Sequence, residues 1–255
     1  PRKGAGGTGR MRVLLDQVIH DMRNKGNVAL LQAALERVGR LFPGAQLGVL
    51  TEAPQVLRHY CPQASPVRVN PPSPERNGLP LSLVGRVAPR FLIRWGLELR
   101  EELKSRRSRR EIGARGSGPF AKSHEQDLAE SEAEQALTAG VLQAVQQADL
   151  VLTTGGGYLC DYDKRPLTAT LAVLRAAIQM GKPTAMLGQG VGPLDDPDLR
   201  RRLAEVLPKV DLILARERRV APALLQALGV DAARVMMTGD DAIQMAYGRR
   251  SHSLG

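Results

Sequence analysis

An alternation limits most strongly what this chain can fold into. Short, almost wholly apolar runs recur at 11–19, 47–50, 149–154, 184–187, 211–214 and 234–237. Buried parallel strands read this way, because both faces of such a sheet are covered. Between the runs lie segments of helical spacing, at 27–41, 125–148, 167–180, 198–206 and 218–228. In the first of these the apolar positions are Val28, Leu31, Leu35, Val38 and Leu41. Strand and helix in strict turn build βαβ units. The predicted fold class is therefore α/β, a Rossmann-like parallel sheet flanked by helices. The hydrophobic share of 43% over 255 residues excludes a disordered, collagen-like or coiled-coil chain. No apolar run reaches the ~18 residues of a transmembrane helix.

The alternation is interrupted twice. Residues 1–10 are basic and Gly-rich, and they are expected to be a disordered extension rather than a signal peptide. Residues 54–89 are rich in proline, which excludes a continuous helix. A short strand at 67–69 and a helix at 79–103 carrying Trp95 are predicted there. A basic run follows. The formal charge is +10, and half of it falls between Arg100 and Lys122, where eight basic residues face three acidic ones. Its glycines make 105–123 an expected mobile, exposed loop. Such a charge balance draws anionic lipid head groups, other polyanions or small phosphorylated substrates. With 3% aromatic residues, base-stacking surfaces for single-stranded nucleic acid are not expected. Cys61 and Cys160 form neither a disulfide framework nor a CxxC pair, which fits reduced thiols and a cytoplasmic location. The folded region is expected to be 11–245, with a polar tail at 246–255.

In open parallel sheets, ligands bind beyond the carboxyl ends of the strands. His20 is the one histidine at such an end, and it is a candidate proton carrier. The four histidines have no metal-ligand spacing. Gly155-Gly156-Gly157 permits close backbone approach to an anion, or simply a tight turn. Asp161 and Asp163 suit a sugar hydroxyl, a base or a helix cap. Gln189 lies among glycines in an expected loop at 188–193. Arg216 closes an apolar strand and suits a phosphate or carboxylate clamp, or a surface pair with Glu217.

Five loops in order carry a resemblance. They are Asn24-Lys-Gly-Asn-Val28, Thr153-Thr-Gly-Gly-Gly-Tyr-Leu-Cys-Asp161, Gly188-Gln-Gly-Val-Gly-Pro193, Ala215-Arg-Glu217 and Thr238-Gly-Asp240. Together they resemble the polysaccharide pyruvyl transferase family from about Met11 to Met245. The resemblance implies the N-terminal domain of a glycosyltransferase-B-type fold. It implies transfer of the pyruvyl group of phosphoenolpyruvate to a sugar hydroxyl of a cell-surface glycan, with no metal or cofactor. It places His20, Asp161 and Arg216 as catalytic. Asn24, Gly26, Asn27, Gly155, Gly156, Gly157, Gln189, Gly190, Glu217 and Asp240 become substrate-binding. The chain departs from the family pattern at Asn27, where an aspartate is usual, at Asp241, where a proline is usual, and at Val220, where a serine is expected. The family's second domain is expected to be absent from this sequence, which reads as a fragment or as a shortened relative. Two other readings stay open. One is a nucleotide-sugar glycosyltransferase on the same architecture. The other is an inactive scaffold whose basic loop docks on the anionic inner face of the membrane or on a partner. The oligomeric state is not legible.

Overall fold

A computed structural model describes residues 10–70, 137–162 and 164–243, all belonging to one compact unit. In chain order its elements are β1 (Arg12–Asp16), α1 (Lys25–Leu41), β2 (Gln46–Thr51), α2 (Pro54–Tyr60) and β3 (Ser65–Arg68). Then come α3 (Ala139–Gln147), β4 (Leu150–Thr153), β5 (Gly156–Leu159), α4 (Lys164–Gln179) and β6 (Thr184–Val191). The last four are α5 (Pro197–Val206), β7 (Leu212–Ala215), α6 (Ala221–Ala227) and β8 (Val235–Met237). Strand pairing is parallel throughout, in the order β3-β2-β1-β4-β6-β7-β8, with β5 also paired to β6. The Rossmann-like α/β expectation holds. The order reverses between β1 and β4, so their carboxyl ends flank the switch point where such sheets open a crevice.

Strand alternation divides the core between two faces. Val13 and Leu15 of β1 pack with Val28, Leu31, Leu35 and Val38 of α1. Leu14 packs with Val141 and Val145 of α3 and Val173 and Ala177 of α4. Further along, Met186 and Ile213 meet Leu171 and Leu174 of α4, Leu203 of α5 and Leu225 of α6. Each fully buried leucine contributes about 1.5–3 kcal/mol. No described helix is long and apolar enough to cross a membrane.

Several element boundaries differ from the sequence reading. The run 11–19 stops being strand at Asp16, because Val18 has φ +65°. Leu41 is exposed rather than core, at the last turn of α1. Residues 188–191 are strand, not loop: β6 runs on to Val191 and is buried along its whole length. Gly155-Gly156-Gly157 does not start a helix. β4 pairs with the first part of β6 through Thr153 opposite Met186, and β5 pairs with the second part through Gly156 opposite Gln189. The glycines let one broken strand hug β6: a Cβ at Gly155 would sit 2.9 Å from the Gly188 carbonyl oxygen. The strand expected at 67–69 is β3, at Ser65–Arg68. The helix expected at 218–228 starts only at Ala221, since Glu217 occupies the amides before it. The expected extension at 1–9, the helix at 79–103, the basic loop at 105–123, the first half of the 125–148 helix, Asp163 and the tail lie outside the described residues.

Candidate functional site

The loop after β1 is held by several hydrogen bonds. Asp16 ends β1 on the α4 side, as parity with Leu14 requires, and it is fully buried. Its Oδ2 accepts a hydrogen bond from the Thr170 hydroxyl of α4 at 3.0 Å. Its Oδ1 accepts from the Val18 amide at 3.1 Å and from His20 Nε2 at 2.8 Å. A carboxylate only accepts, which assigns the proton to Nε2 and leaves Nδ1 as the second ring nitrogen. The Thr51 hydroxyl and the Glu52 amide, at the end of β2, bind the His20 carbonyl at 3.1 and 2.9 Å. Burial acts against the charged form of both members of the pair. For Asp16, His20 together with Val18 and Thr170 outweighs burial and holds the carboxyl below its ordinary value. For His20, the Asp16 hydrogen bond and charge, with Glu52 and Asp21, outweigh burial and raise the imidazole above its ordinary value.

Beside this loop lies a cavity of about 270 Å³ at the β1/β4 switch point. Gln17, Val18 and Ile19 line it from the β1 loop, and Asn24 and Asn27 from the start of α1. Gly155, Gly156, Gly157 and Tyr158 form the opposite wall, with Cys160, Tyr162 and Pro166 at the side. Every lining side chain is neutral. Asn24 caps α1 through its side-chain oxygen, which accepts from the Gly26 amide at 2.8 Å and the Asn27 amide at 3.4 Å. Gln17 donates to the Leu50 carbonyl, and its own side-chain oxygen is buried with no hydrogen-bond partner. Tyr158 donates its hydroxyl to Thr153, and burial pushes its phenol far up.

An arginine stands on the far side of the glycine wall. The Arg216 guanidinium lies against the backbone of Gly157 and Gly190. Cβ atoms there would sit 3.2 Å from Nη2 and 2.7 Å from Nε. Asp240, beyond β8, faces it at 3.4 Å. The expected pair with Glu217 is not what fixes Arg216. Glu217 accepts from the amides of Arg219, Val220 and Ala221. Burial would raise its carboxyl, but those amides and the Arg216 charge lower it overall.

The structure thus brings Asn24, Asn27 and Gly155–Gly157 to one cavity, and Gly190, Arg216 and Asp240 to one cluster behind it. His20 directly follows lining residues but is not itself part of the wall. Gly26 sits in the first turn of α1, under the Asn24 cap. Gln189 is an internal brace. Fully buried, it donates to the carbonyls of Thr154 and Leu187 at 3.0 and 2.9 Å. Asp161 is a staple between loops: its Oδ2 accepts from the amides of Asp195 and Asp196 at 2.5 and 3.3 Å. Its Oδ1 is buried without a hydrogen-bond partner. Sequence reading overlooked Asp16, Gln17, Tyr158 and Thr170. Only Asp16 left a signal, as an acid in the middle of an apolar run rather than at its start. No group of His, Cys, Asp and Glu among the described residues suits a metal ion.

A family model for the polysaccharide pyruvyl transferases matches residues 24–253. The chain belongs to the polysaccharide pyruvyl transferase family. The matched span takes in the α1 cap, the glycine wall and the Arg216 cluster, and of the expected site residues only His20 precedes it. Among solved structures the chain is similar to one described as a UDP-N-acetylglucosamine 2-epimerase from Listeria monocytogenes. The identity is 15% and the TM-score 0.44, over 92% of this chain and 46% of the other. The chain therefore spans about half the length of that structure. No curated protein matches it.

Proposed function

We propose that this chain moves the pyruvyl group of phosphoenolpyruvate onto a sugar hydroxyl of a cell-surface polysaccharide or its precursor. The observation that carries the reading is that a neutral, hydroxyl-seeking cavity and an arginine meet at one residue, Gly157. The reaction joins two unlike partners. A sugar is neutral and offers hydroxyls, which suits the amides of Asn24 and Asn27 and the unpartnered oxygen of Gln17. Phosphoenolpyruvate carries a carboxylate and a phosphate, both matched by the planar guanidinium of Arg216. Gly190 and Gly157 leave room for that group to lie flat, and Asp240 holds it loosely enough to exchange for a ligand.

Thermal melts with phosphoenolpyruvate test this, with UDP-glucose and inorganic phosphate as controls. A ligand at about 100 times its dissociation constant adds roughly 2.7 kcal/mol, a clear shift. Phosphoenolpyruvate alone is expected to give it, and Arg216→Ala to abolish it. A shift with UDP-glucose instead would favour the nucleotide-sugar reading. No shift with phosphoenolpyruvate overturns a donor site on this chain.

A further inference from the structure

The transferase reading leaves unexplained why a buried carboxylate, a helix hydroxyl and a histidine converge at the end of β1. We infer that Asp16 and Thr170 are positioning residues that hold His20 as the proton carrier of pyruvyl transfer, an assignment that rests on the proposed function.

The geometry is that of an oriented acid–base group. His20 is held at Nε2 by Asp16, and its Nδ1 is the nitrogen left for a reacting atom. Its side chain is 10% exposed and that of Asp16 is 0% exposed, so one end of the pair meets solvent and the other does not. Asp16 accepts three hydrogen bonds, and the Thr170 hydroxyl takes its second oxygen. A carboxylate so satisfied stays ionised, and the shared proton stays on the imidazole. The charged groups acting on His20 are all acidic: Asp16 of β1, Glu52 after β2 and Asp21 of its own loop. From α4 the neutral Thr170 reaches Asp16, not His20. Together they keep His20 an imidazolium at higher pH than a free histidine.

The backbone gives an independent sign. Val18 is β-branched and buried, yet has φ +65°, and the Ile19 amide bonds the Gln17 carbonyl across it at 2.6 Å. That is a γ-turn of the left-handed kind, which is rare and strained. Buried Met22 has φ +55°. Two left-handed non-glycine residues in one short loop are strained, and such strain clusters at functional sites. Asp16 accepts the Val18 amide, so the same carboxylate fixes the strained turn and the imidazole.

The proton balance closes on one residue. Imidazolium Nδ1 gives its proton to the methylene carbon of phosphoenolpyruvate, and the double-bond pair forms the new C–H bond. A sugar hydroxyl adds to the cationic central carbon, and its proton returns to Nδ1. The C–O bond to phosphate then breaks, phosphate taking the electron pair. A second hydroxyl fills the vacated position, its proton leaves with phosphate, and the ketal is closed.

The test compares the native chain with Asp16→Asn, Thr170→Val and His20→Gln. It reads phosphate release from phosphoenolpyruvate with a sugar acceptor across pH, with a melt of each variant. The acid form of His20 starts the cycle, so native kcat is expected to fall as pH rises through the raised His20 value. Asp16→Asn removes the group that raises it. The falling limb should move to lower pH, with kcat down about 100-fold or more and KM little changed. Thr170→Val should move the limb the same way by less, and it covers the case in which Asp16→Asn does not fold. The histidine ring proton shift of His20, absent in His20→Gln, gives its titration directly. A native limb position in a folded Asp16→Asn or Thr170→Val overturns the relay and leaves the transferase reading intact. No phosphate release by the native chain overturns the transferase reading and the relay's catalytic part together. The ring titration then reports separately whether the Asp16–His20 pair forms.

Discussion

At the residue scale, glycines decide where Arg216 can lie. The atoms nearest a Cβ at Gly190 belong to the guanidinium, the far end of a flexible side chain. A Cβ at Gly155 meets the backbone oxygens of Gly188 and Leu187, at 2.9 and 3.1 Å. The two substitutions should therefore fail differently. Gly190→Ala is expected to melt close to the native chain while losing most of its phosphoenolpyruvate-induced shift, because Arg216 is pushed off its bed. Gly155→Ala is expected to lose about 1–3 kcal/mol in urea unfolding, since strands β4 and β6 cannot part without breaking their pairing. Equal melts for the two would show that the Gly188 backbone yields as readily as a side chain. Both glycines stood out in the sequence, but as an anion turn and a loop. What each one makes room for lies on a strand distant in sequence.

At the element scale, α1 joins fold and site. Its buried stripe of Val28, Leu31, Leu35 and Val38 anchors it to the sheet, and its first turn opens on the cavity. Asn24 holds that turn, so the cap and the wall are one residue. Asn24→Ala is expected to lower stability by about 1 kcal/mol in urea unfolding, with Asn24→Asp close to native because its carboxylate accepts the same amides. An alanine variant as stable as the native chain would mean that the two amides find water instead. The stripe was readable from periodicity. The start was placed at 27 rather than Lys25, because periodicity sees only the buried face and the cap is polar. At α6 the error ran the other way. The expected start at 218 ignored Glu217, whose carboxylate takes three amides that a helix would otherwise present.

At the scale of the whole described fold, an ion pair ties α1 to the segment after the edge strand β8. Arg37 of α1 lies 2.8 Å from Asp241, which follows β8 and whose side chain is 1% exposed. Gly188 of β6, at φ +49°, makes the space: a Cβ there would sit 2.7 Å from an Asp241 oxygen. Asp241 is one of the departures from the family pattern, which has a proline there. Arg37→Ala is expected to cost about 3–5 kcal/mol, because it strands a buried carboxylate rather than merely deleting an attraction. Replacing Asp241 by Asn as well should recover part of that loss. A urea midpoint for Arg37→Ala at the native value would mean that Asp241 is hydrated.

Local pattern along the chain is enough to give the class of this fold. Apolar runs and helical spacing are local properties, and they suffice for parallel strands with helices between them. The order of polar, Gly-rich loops at the strand ends suffices for the family. Partner choice is not local. Asp16 and Thr170 are 154 positions apart and meet only because the β1 pleat and the α4 register turn them to the same face. Gln189 and Asp161 read as site residues, and tertiary structure ties Nε2 of the one and Oδ2 of the other to neighbouring backbone. Gly157 and Arg216 come from different strands, and only the pairing of β5 and β7 with β6 sets them together. A polar side chain in a folded chain goes to whichever partner the packing brings within about 3 Å, and that distance is fixed by the sheet, not by the neighbours in sequence.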